Sequence, residues 1–108
     1  MRGLTARAQF QIGQAVHHKS IGYRGVVVDV DATFQHTEEW YEHMCRASQP
    51  PRDRPWYHVL VHGSRHRTYV TEQNLEPDDS GEPIIHPDLA RFFDDFCGGR
   101  YHPRRAAH

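Results

Sequence analysis

The sequence has few cysteines, little net charge and no long apolar run, and each absence narrows the range of protein classes. Its two cysteines, Cys45 and Cys97, form no Cys-x-x-Cys pair, so we expect two reduced thiols and no disulfide framework. No stretch approaches the roughly 18 apolar residues that a membrane-spanning helix needs. The net charge of −1 does not favour a general nucleic-acid binder, whose domain is usually strongly basic.

Length and composition predict a single domain with a thin core. The chain has 108 residues, of which 37% are hydrophobic and 25% charged. An oligomeric interface would add buried surface to so small a core, so we expect a homo-oligomer. The first ten residues contain arginine but no apolar segment, which gives no sign of a secretory signal. We therefore expect a cytoplasmic protein without membrane contact, with a flexible N terminus over residues 1–9.

Short runs of β-branched and aromatic residues, punctuated by glycine or proline, predict the strands of a small β-barrel. The runs are Phe10–His17, Tyr23–Asp31, Trp56–His62 and Arg67–Thr71, followed by a single helical turn over 72–75 and a last strand. In the second run, Val26, Val28 and Val30 are expected to share a buried face, with Asp29 and Asp31 on the other face. Two glycines near the start of this run predict a tight turn and a strongly bent strand.

Residues 32–55 interrupt the strand pattern and form an insert that is longer than a hairpin needs. Thr37 is a good helix N-cap, and the acidic residues after it suit a first turn. We therefore predict a short helix from about Glu38 to Arg46, followed by a proline-rich polar loop.

The C-terminal region carries a helical pattern. Leu89, Phe92, Phe93 and Phe96 recur at i, i+3, i+4 and i+7, with Pro87 before them and two glycines after them. This spacing predicts an amphipathic helix over about 87–97. Residues 102–108 would then form a basic, mobile tail.

Several segments in this order resemble the HspQ-like, or YccV-type, proteins, a family often labelled hemimethylated-DNA-binding domains. The segments are Ile12–His17, Gly22–Asp31, Pro55–Val61, Thr68–Leu75, Ser80–Pro83 and His86–Pro87. The resemblance implies an SH3-like β-barrel over residues 10–101, which here carries the inserted short helix and the C-terminal amphipathic helix. It also implies no enzymatic activity, no obligatory cofactor, self-association and a heat-shock-linked role. In that role, members assist the degradation of certain damaged or specific proteins by an ATP-dependent protease.

Aromatic residues on the predicted strands are candidates for a partner-binding cleft. The simplest interpretation is that these residues form the barrel core, but their rings and hydroxyls could also hold an extended peptide or a methylated group. The candidates, together with one strand histidine, are Tyr23, Trp56, Tyr57, His58 and Tyr69.

Two charged sets offer further surfaces. Acidic residues could form a docking surface for a basic partner or simply a solvated face; they are Asp29, Asp31, Glu38, Glu39 and Glu72. Basic residues at the second hairpin and the C terminus could contact DNA phosphates or only solubilise the chain; they are Arg65, His66, Arg67, Arg104 and Arg105.

The sequence contains no motif typical of catalysis or of a metal centre. His58 and His62 share a strand face, but a zinc site needs three or four converging ligands, so we predict no metal. Phosphate-binding glycine loops and the usual hydrolase motifs are also missing. The sequence therefore favours a stress-response adaptor that binds a protease and its substrates, with recognition of hemimethylated double-stranded DNA as the alternative.

Overall fold

Five short strands form one antiparallel sheet in the computed structural model, which describes residues 7–104. The strands are β1 (Ala15–His18), β2 (Arg24–Asp31), β3 (Trp56–Val61), β4 (Arg67–Thr71) and β5 (Leu75–Pro77). Their order in the sheet is β4-β3-β2-β1-β5, so β4 and β5 are its edges. The predicted mainly β fold class is confirmed. No helix in the described part of the chain is long and apolar enough to cross a membrane.

The two edge strands follow each other along the chain, and this forces the sheet to curl. A flat five-stranded sheet would hold its edges about 19 Å apart, because neighbouring strands lie about 4.8 Å apart. Only the 3-10 helix Glu72–Asn74, the predicted helical turn, separates β4 from β5. Three residues in that conformation advance about 6 Å. The sheet therefore curls until β4 approaches β5, while the pairings among the described residues leave the seam between them open.

A β-bulge in β2 shifts the alternation of its side chains between the two faces of the sheet. The register with β3 shifts between Val27 and Asp29, which leaves Val28 as the extra residue. Val26 and Val28 belong to one buried cluster, whereas Val27 and, beyond the bulge, Val30 pack in another. The prediction that Val26, Val28 and Val30 share a face is therefore wrong for Val30, because the bulge interrupts the two-residue alternation.

Both faces of the sheet are covered by apolar side chains. The cluster inside the curl contains Phe10, Val16, Val27, Tyr57, Val59, Val70 and Leu75. A second cluster lies on the outer face, where the C-terminal segment packs; it contains Val26, Val28, Leu60, Ile84, Phe93 and Tyr101. This double coverage explains why β3 is almost continuously apolar rather than strictly alternating.

The insert forms the predicted helix, α1 (Glu38–Met44), two residues shorter than expected. Thr37 is its N-cap, as predicted, and its hydroxyl accepts a hydrogen bond from the Trp40 backbone N–H (3.0 Å). The helix buries Tyr41 against Trp56 of β3, and Arg52 lies 3.8 Å above the Tyr41 ring. The insert is thus packed on the sheet as a fixed wall.

The predicted C-terminal helix over 87–97 is wrong beyond its first part. Residues Leu89–Phe92 form a single helical turn, α2, and the chain then continues as a hairpin of β6 (Phe93–Cys97) and β7 (Arg100–Pro103). Gly98 and Gly99 have φ of 64° and 76° and form its two-residue turn. Residues 102–103 of the predicted basic tail belong to β7, and residues 105–108 lie outside the described residues.

The hairpin is tied to the start of the chain through Gly13. The Tyr101 N–H donates to the Gly13 carbonyl (2.9 Å), and a Cβ at Gly13, whose φ is +93°, would lie 2.0 Å from the Tyr101 carbonyl oxygen. The predicted flexible segment 1–9 lies mostly outside the described residues. Within them, the Gln9 N–H donates to the Glu72 carboxylate (2.9 Å), so this position is anchored.

Candidate partner-binding groove

A groove of about 680 Å³ runs along the outer edge of β4. All five residues of β4 line it, and Trp56 and His58 contribute from β3. One wall is the β1–β2 connection, which includes Ser20 and Ile21, and the other is the insert, which includes Trp40 and Met44. The groove is therefore built where the curled sheet stays open.

Four of the five predicted cleft residues line this groove. They are Tyr23, Trp56, His58 and Tyr69. Tyr57 does not, because neighbouring residues of a strand point to opposite faces and its ring lies in the inner core. Tyr57 therefore lies outside this groove, and its hydroxyl is bonded to the Phe10 N–H and to Glu72.

Trp56 contributes to the groove mainly as support. Only 1% of its surface is exposed, and its Nε1–H donates to the Pro51 carbonyl (3.0 Å). Its ring centroid lies 5.0 Å from Phe34 and 5.2 Å from Tyr69, with the Tyr69 ring stacked. Trp56 therefore joins the insert to β3 and β4, and the accessible aromatic wall is formed by Trp40 and Tyr69.

Tyr69 is held in place by a half-buried polar network. Its hydroxyl donates to Asp31 Oδ2 (2.8 Å) and accepts from the Gln35 N–H (2.9 Å). His58 Nε2 lies 3.1 Å from the same Asp31 oxygen. Burial and, next, the hydrogen bond to Asp31 raise the pKa of Tyr69, so its hydroxyl remains a donor at neutral pH. The ring thus has one orientation towards the groove.

The same region brings together three residues with metal-ligating side chains. One ligand atom each from Asp29, Asp31 and His58 lies within 4.8 Å of the other two. The prediction of no metal site did not consider these three residues together. Asp29 and Asp31 belong to β2 and His58 to β3, and they meet only through the pairing of the two strands beyond the bulge. Asp31 already accepts hydrogen bonds from Tyr69 and His58, so the observed arrangement serves to orient these two groups.

Two exposed apolar residues of the groove were missed as site residues. Ile21 is 73% exposed and Met44 is 61% exposed, and both line the groove. The sequence offers only weak signals for them: Ile21 stands between a serine and a glycine, and Met44 lies in the predicted helix. Exposed apolar side chains that flank a groove are typical of binding sites.

The turn that carries Ile21 is capped by His18. His18 Nδ1 accepts hydrogen bonds from the Ile21 N–H (3.0 Å) and the Ser20 N–H (3.3 Å). Burial lowers the pKa of His18, and the charge of neighbouring His17 lowers it further. The neutral imidazole that can accept these bonds is therefore favoured.

The structure places the predicted basic residues of the described chain at the β3–β4 hairpin and beside α2. Arg65, His66 and Arg67 are exposed at the β3–β4 hairpin. Arg67 lies 5.7 Å from the Phe92 ring of α2, and Arg104 donates to the Ala90 carbonyl of the same helix (2.8 Å). Arg105 lies outside the described residues.

The predicted acidic docking surface is not a single surface either. Glu38 binds the Arg52 guanidinium through both oxygens (2.8 and 2.6 Å), and this hydrogen bonding lowers the pKa of Glu38. Glu72 accepts from Tyr57 and Asp31 accepts from Tyr69, whereas Asp29 and Glu39 are exposed. Most of these carboxylates therefore stabilise the fold locally.

Comparison with known proteins identifies the family of this chain. The chain is 36% identical over 95 residues to F-box only protein 21 from Mus musculus, Pongo abelii and Homo sapiens. The match covers 87% of this chain and 15% of each relative, so this chain corresponds to a small part of those proteins. Residues 8–100 match the family described as hemimethylated DNA-binding protein YccV-like. The chain therefore belongs to the YccV-like family.

Proposed function

We propose that this chain is a non-enzymatic binding module whose groove holds a polypeptide segment of a partner protein. The observation that carries the proposal is the groove along β4 with exposed Ile21 and Met44 on its walls. Most of the surface exposed in the groove is apolar, although several polar side chains line it, and such a groove suits the binding of a partner. The strong curl of the five-stranded sheet supports an SH3-like barrel as the scaffold.

We further propose that the module acts in the stress response as an adaptor for an ATP-dependent protease. Damaged proteins expose extended apolar segments that are buried in their native folds, and a groove with an apolar rim would bind such segments. The protease and its substrates are thus the proposed partners, with a cytoplasmic location and a homo-oligomeric state that would present several grooves.

Photocrosslinking tests this role directly. Met44 is replaced by the photoreactive residue p-benzoylphenylalanine, and Ile85, which is 69% exposed and does not line the groove, receives the same replacement as the control. In heat-stressed lysate of the source cells we expect cross-links to an ATP-dependent protease or its substrates from position 44 only. Equal labelling from both positions, or no labelling from position 44, would contradict the proposal.

Recognition of hemimethylated double-stranded DNA is the second candidate. It is favoured by the family description and by the arginines that gather near α2, where Arg67, Arg91 and Arg104 come from distant parts of the chain. Such a cluster could contact phosphates, and base contacts would have to supply the methyl selectivity.

A gel-shift series separates this candidate from the first. Hemimethylated, unmethylated and fully methylated duplexes of one sequence are compared at moderate salt. The DNA function requires tighter binding of the hemimethylated duplex and its loss in the double variant Arg91→Gln, Arg104→Gln, with Arg46→Gln as the control. Equal binding of all three duplexes would reduce the interaction to nonspecific attraction.

A further inference from the structure

The two edges of the sheet differ in how they are protected. β5 has three residues and contains Glu76 and Pro77, and short edges with charge or proline resist further strand pairing. β4 has five residues, of which only Arg67 is charged and none is proline. No other strand of residues 7–104 pairs with the outer side of β4, and the groove follows it over its whole length.

The register shows which backbone groups of β4 face the groove. The Val61 N–H donates to the His66 carbonyl (3.0 Å), and the Glu72 N–H donates to the Pro55 carbonyl (3.1 Å). In an antiparallel ladder the residues bonded to the neighbouring strand alternate with residues that point outward. Thr68 and Val70 therefore bond to β3. The remaining outward groups, the N–H and C=O of Arg67 and Tyr69 and the N–H of Thr71, point into the groove. The Thr71 carbonyl instead accepts the first hydrogen bond of the 3-10 helix.

The side chains of β4 show that the groove has two distinct walls. The Thr68 hydroxyl lies 2.8 Å from the Tyr23 hydroxyl, on the face of the β1–β2 connection. Tyr69 points to the other face, where its ring packs against Trp40 at 5.7 Å. Ile21 therefore lies on one side of the β4 edge and Met44 on the other.

This arrangement matches the geometry of an added strand. Successive side chains of a strand point to opposite faces, so two neighbouring residues of an occupant would contact Ile21 and Met44 respectively. Outward backbone groups at every second residue require a partner with the same spacing, which an extended backbone supplies.

The charges of the lining restrict the occupant further. The groove is lined by Arg67 and by His18, His36 and His58, and no carboxylate lines it. A carboxylate in the occupant would be attracted to Arg67, at the beginning of β4.

We propose that β4 binds an extended peptide segment as a sixth strand, with two adjacent apolar side chains on Ile21 and Met44 and a carboxylate near Arg67. This inference rests on the proposed polypeptide-binding function and names its mode. The segment needs about five extended residues to cover β4, a length of about 17 Å.

Backbone-modified peptides test the mode of binding. The probe is a fluorescein-labelled nine-residue peptide of isoleucine, valine and threonine with a glutamate at each end. Two further versions carry N-methyl groups on alternate amides, in the even or the odd positions. One version loses the N–H groups that would bond to β4, and we expect its affinity to fall at least tenfold while the other binds as the parent does. Equal affinity of both versions would overturn the added strand.

Variants of the protein provide the second measurement. Ile21→Ser and Met44→Ser should each lower the affinity for the parent peptide about fivefold to tenfold. Ile85→Ser, which lies outside the groove, should leave this affinity unchanged. Thr71→Pro removes one outward N–H at a residue whose φ is −69°, which proline adopts. Its matched control is Thr71→Ala, and circular dichroism checks that both variants fold.

The outcomes separate this inference from the proposed function. If the groove variants lower the affinity for the parent peptide but both methylated versions bind equally well, polypeptide binding stands and binding as an added strand is refuted. If no peptide binds and position 44 gives no cross-links, both fail. If light scattering shows a dimer that Met44→Ser dissociates and peptides do not compete with it, β4 pairs with a second copy and the peptide proposal is overturned.

Discussion

Replacing Trp56 by alanine should damage folding far more than binding, although this residue lines the groove. Its side chain is 1% exposed, contacts Phe34 and Tyr69, and donates a hydrogen bond to Pro51. The substitution would leave a cavity where the insert meets the sheet, and the insert would lose its main contact.

The expected cost follows from the buried area. A buried tryptophan removes about 150–250 Å² from water, which at about 25 cal/mol per Å² corresponds to about 4–6 kcal/mol. Measured Trp→Ala substitutions in cores cost about 3–5 kcal/mol. A loss of about 4 kcal/mol is a large part of the total stability of a small domain, which is about 5–15 kcal/mol. With a urea m value of about 2 kcal/mol/M, the unfolding midpoint should fall by about 2 M.

The matched variant is Trp40→Ala, at the other tryptophan of the chain. Trp40 is half-buried and stacks on His36, so its removal should cost about 2 kcal/mol but take away an accessible wall of the groove. Urea denaturation and peptide titration are measured on both variants. If Trp56→Ala shifts the midpoint by less than about 0.5 M while affinity falls tenfold, the burial argument is refuted and Trp56 is a contact residue.

Three further substitutions test the interior. In Gly25→Ala the new Cβ would lie 2.5 Å from Val59 Cγ1, so urea denaturation should show that the free energy of unfolding falls by about 1–3 kcal/mol. An unchanged midpoint would contradict the close packing. Tyr57→Phe removes the hydroxyl that accepts from the buried Phe10 N–H, and the same assay should show a loss of about 1–3 kcal/mol; a loss below about 0.5 kcal/mol would contradict this role. Because burial lowers the pKa of His18 from 6.5, the unfolded chain binds its proton more readily, and the stability that His18 contributes above pH 6.5 is lost as the pH falls. His18→Asn keeps an acceptor that does not titrate, so its unfolding free energy should fall less than that of the wild type between pH 6.5 and 5; parallel curves would exclude His18 as the cause.

Local signals were sufficient to predict β2, β3, β4 and the helix of the insert, whereas β1 begins five residues later than predicted. β2, β3 and β4 follow β-branched and aromatic runs, and Thr37 with its acidic first turn marks the beginning of α1. The 3-10 turn before β5 was also predicted. These features depend on a few neighbouring residues, so the sequence alone contains the information.

The C-terminal hairpin could not be predicted by the same reasoning, because its sequence suits two structures. Phe92, Phe93 and Phe96 lie on one side of a helix, but in a hairpin Phe93 and Phe96 can also pack together across a bulge. A Gly-Gly pair ends helices and also forms two-residue hairpin turns. The choice is made by the sheet, whose outer face at Leu60 is covered by Phe93 and Tyr101.

The site was predicted only in part, because its geometry depends on the register between distant strands. The aromatic residues were identified, but the bulge at Val28 and the side of β3 on which Tyr57 lies follow from pairing. The importance of Ile21 and Met44 follows from their exposure beside β4, which the sequence does not encode locally.

The walls of the groove are anchored independently of any ligand. The His18 imidazole fixes the turn that carries Ile21, and Trp56 with Arg52 fixes the helix that carries Met44. Ordering a mobile loop would subtract from the binding energy, and a preformed groove avoids this cost. Substitutions at the anchors should therefore lower stability first and weaken binding only by releasing a wall, whereas substitutions of the exposed residues Ile21 and Met44 should remove contacts with little loss of stability.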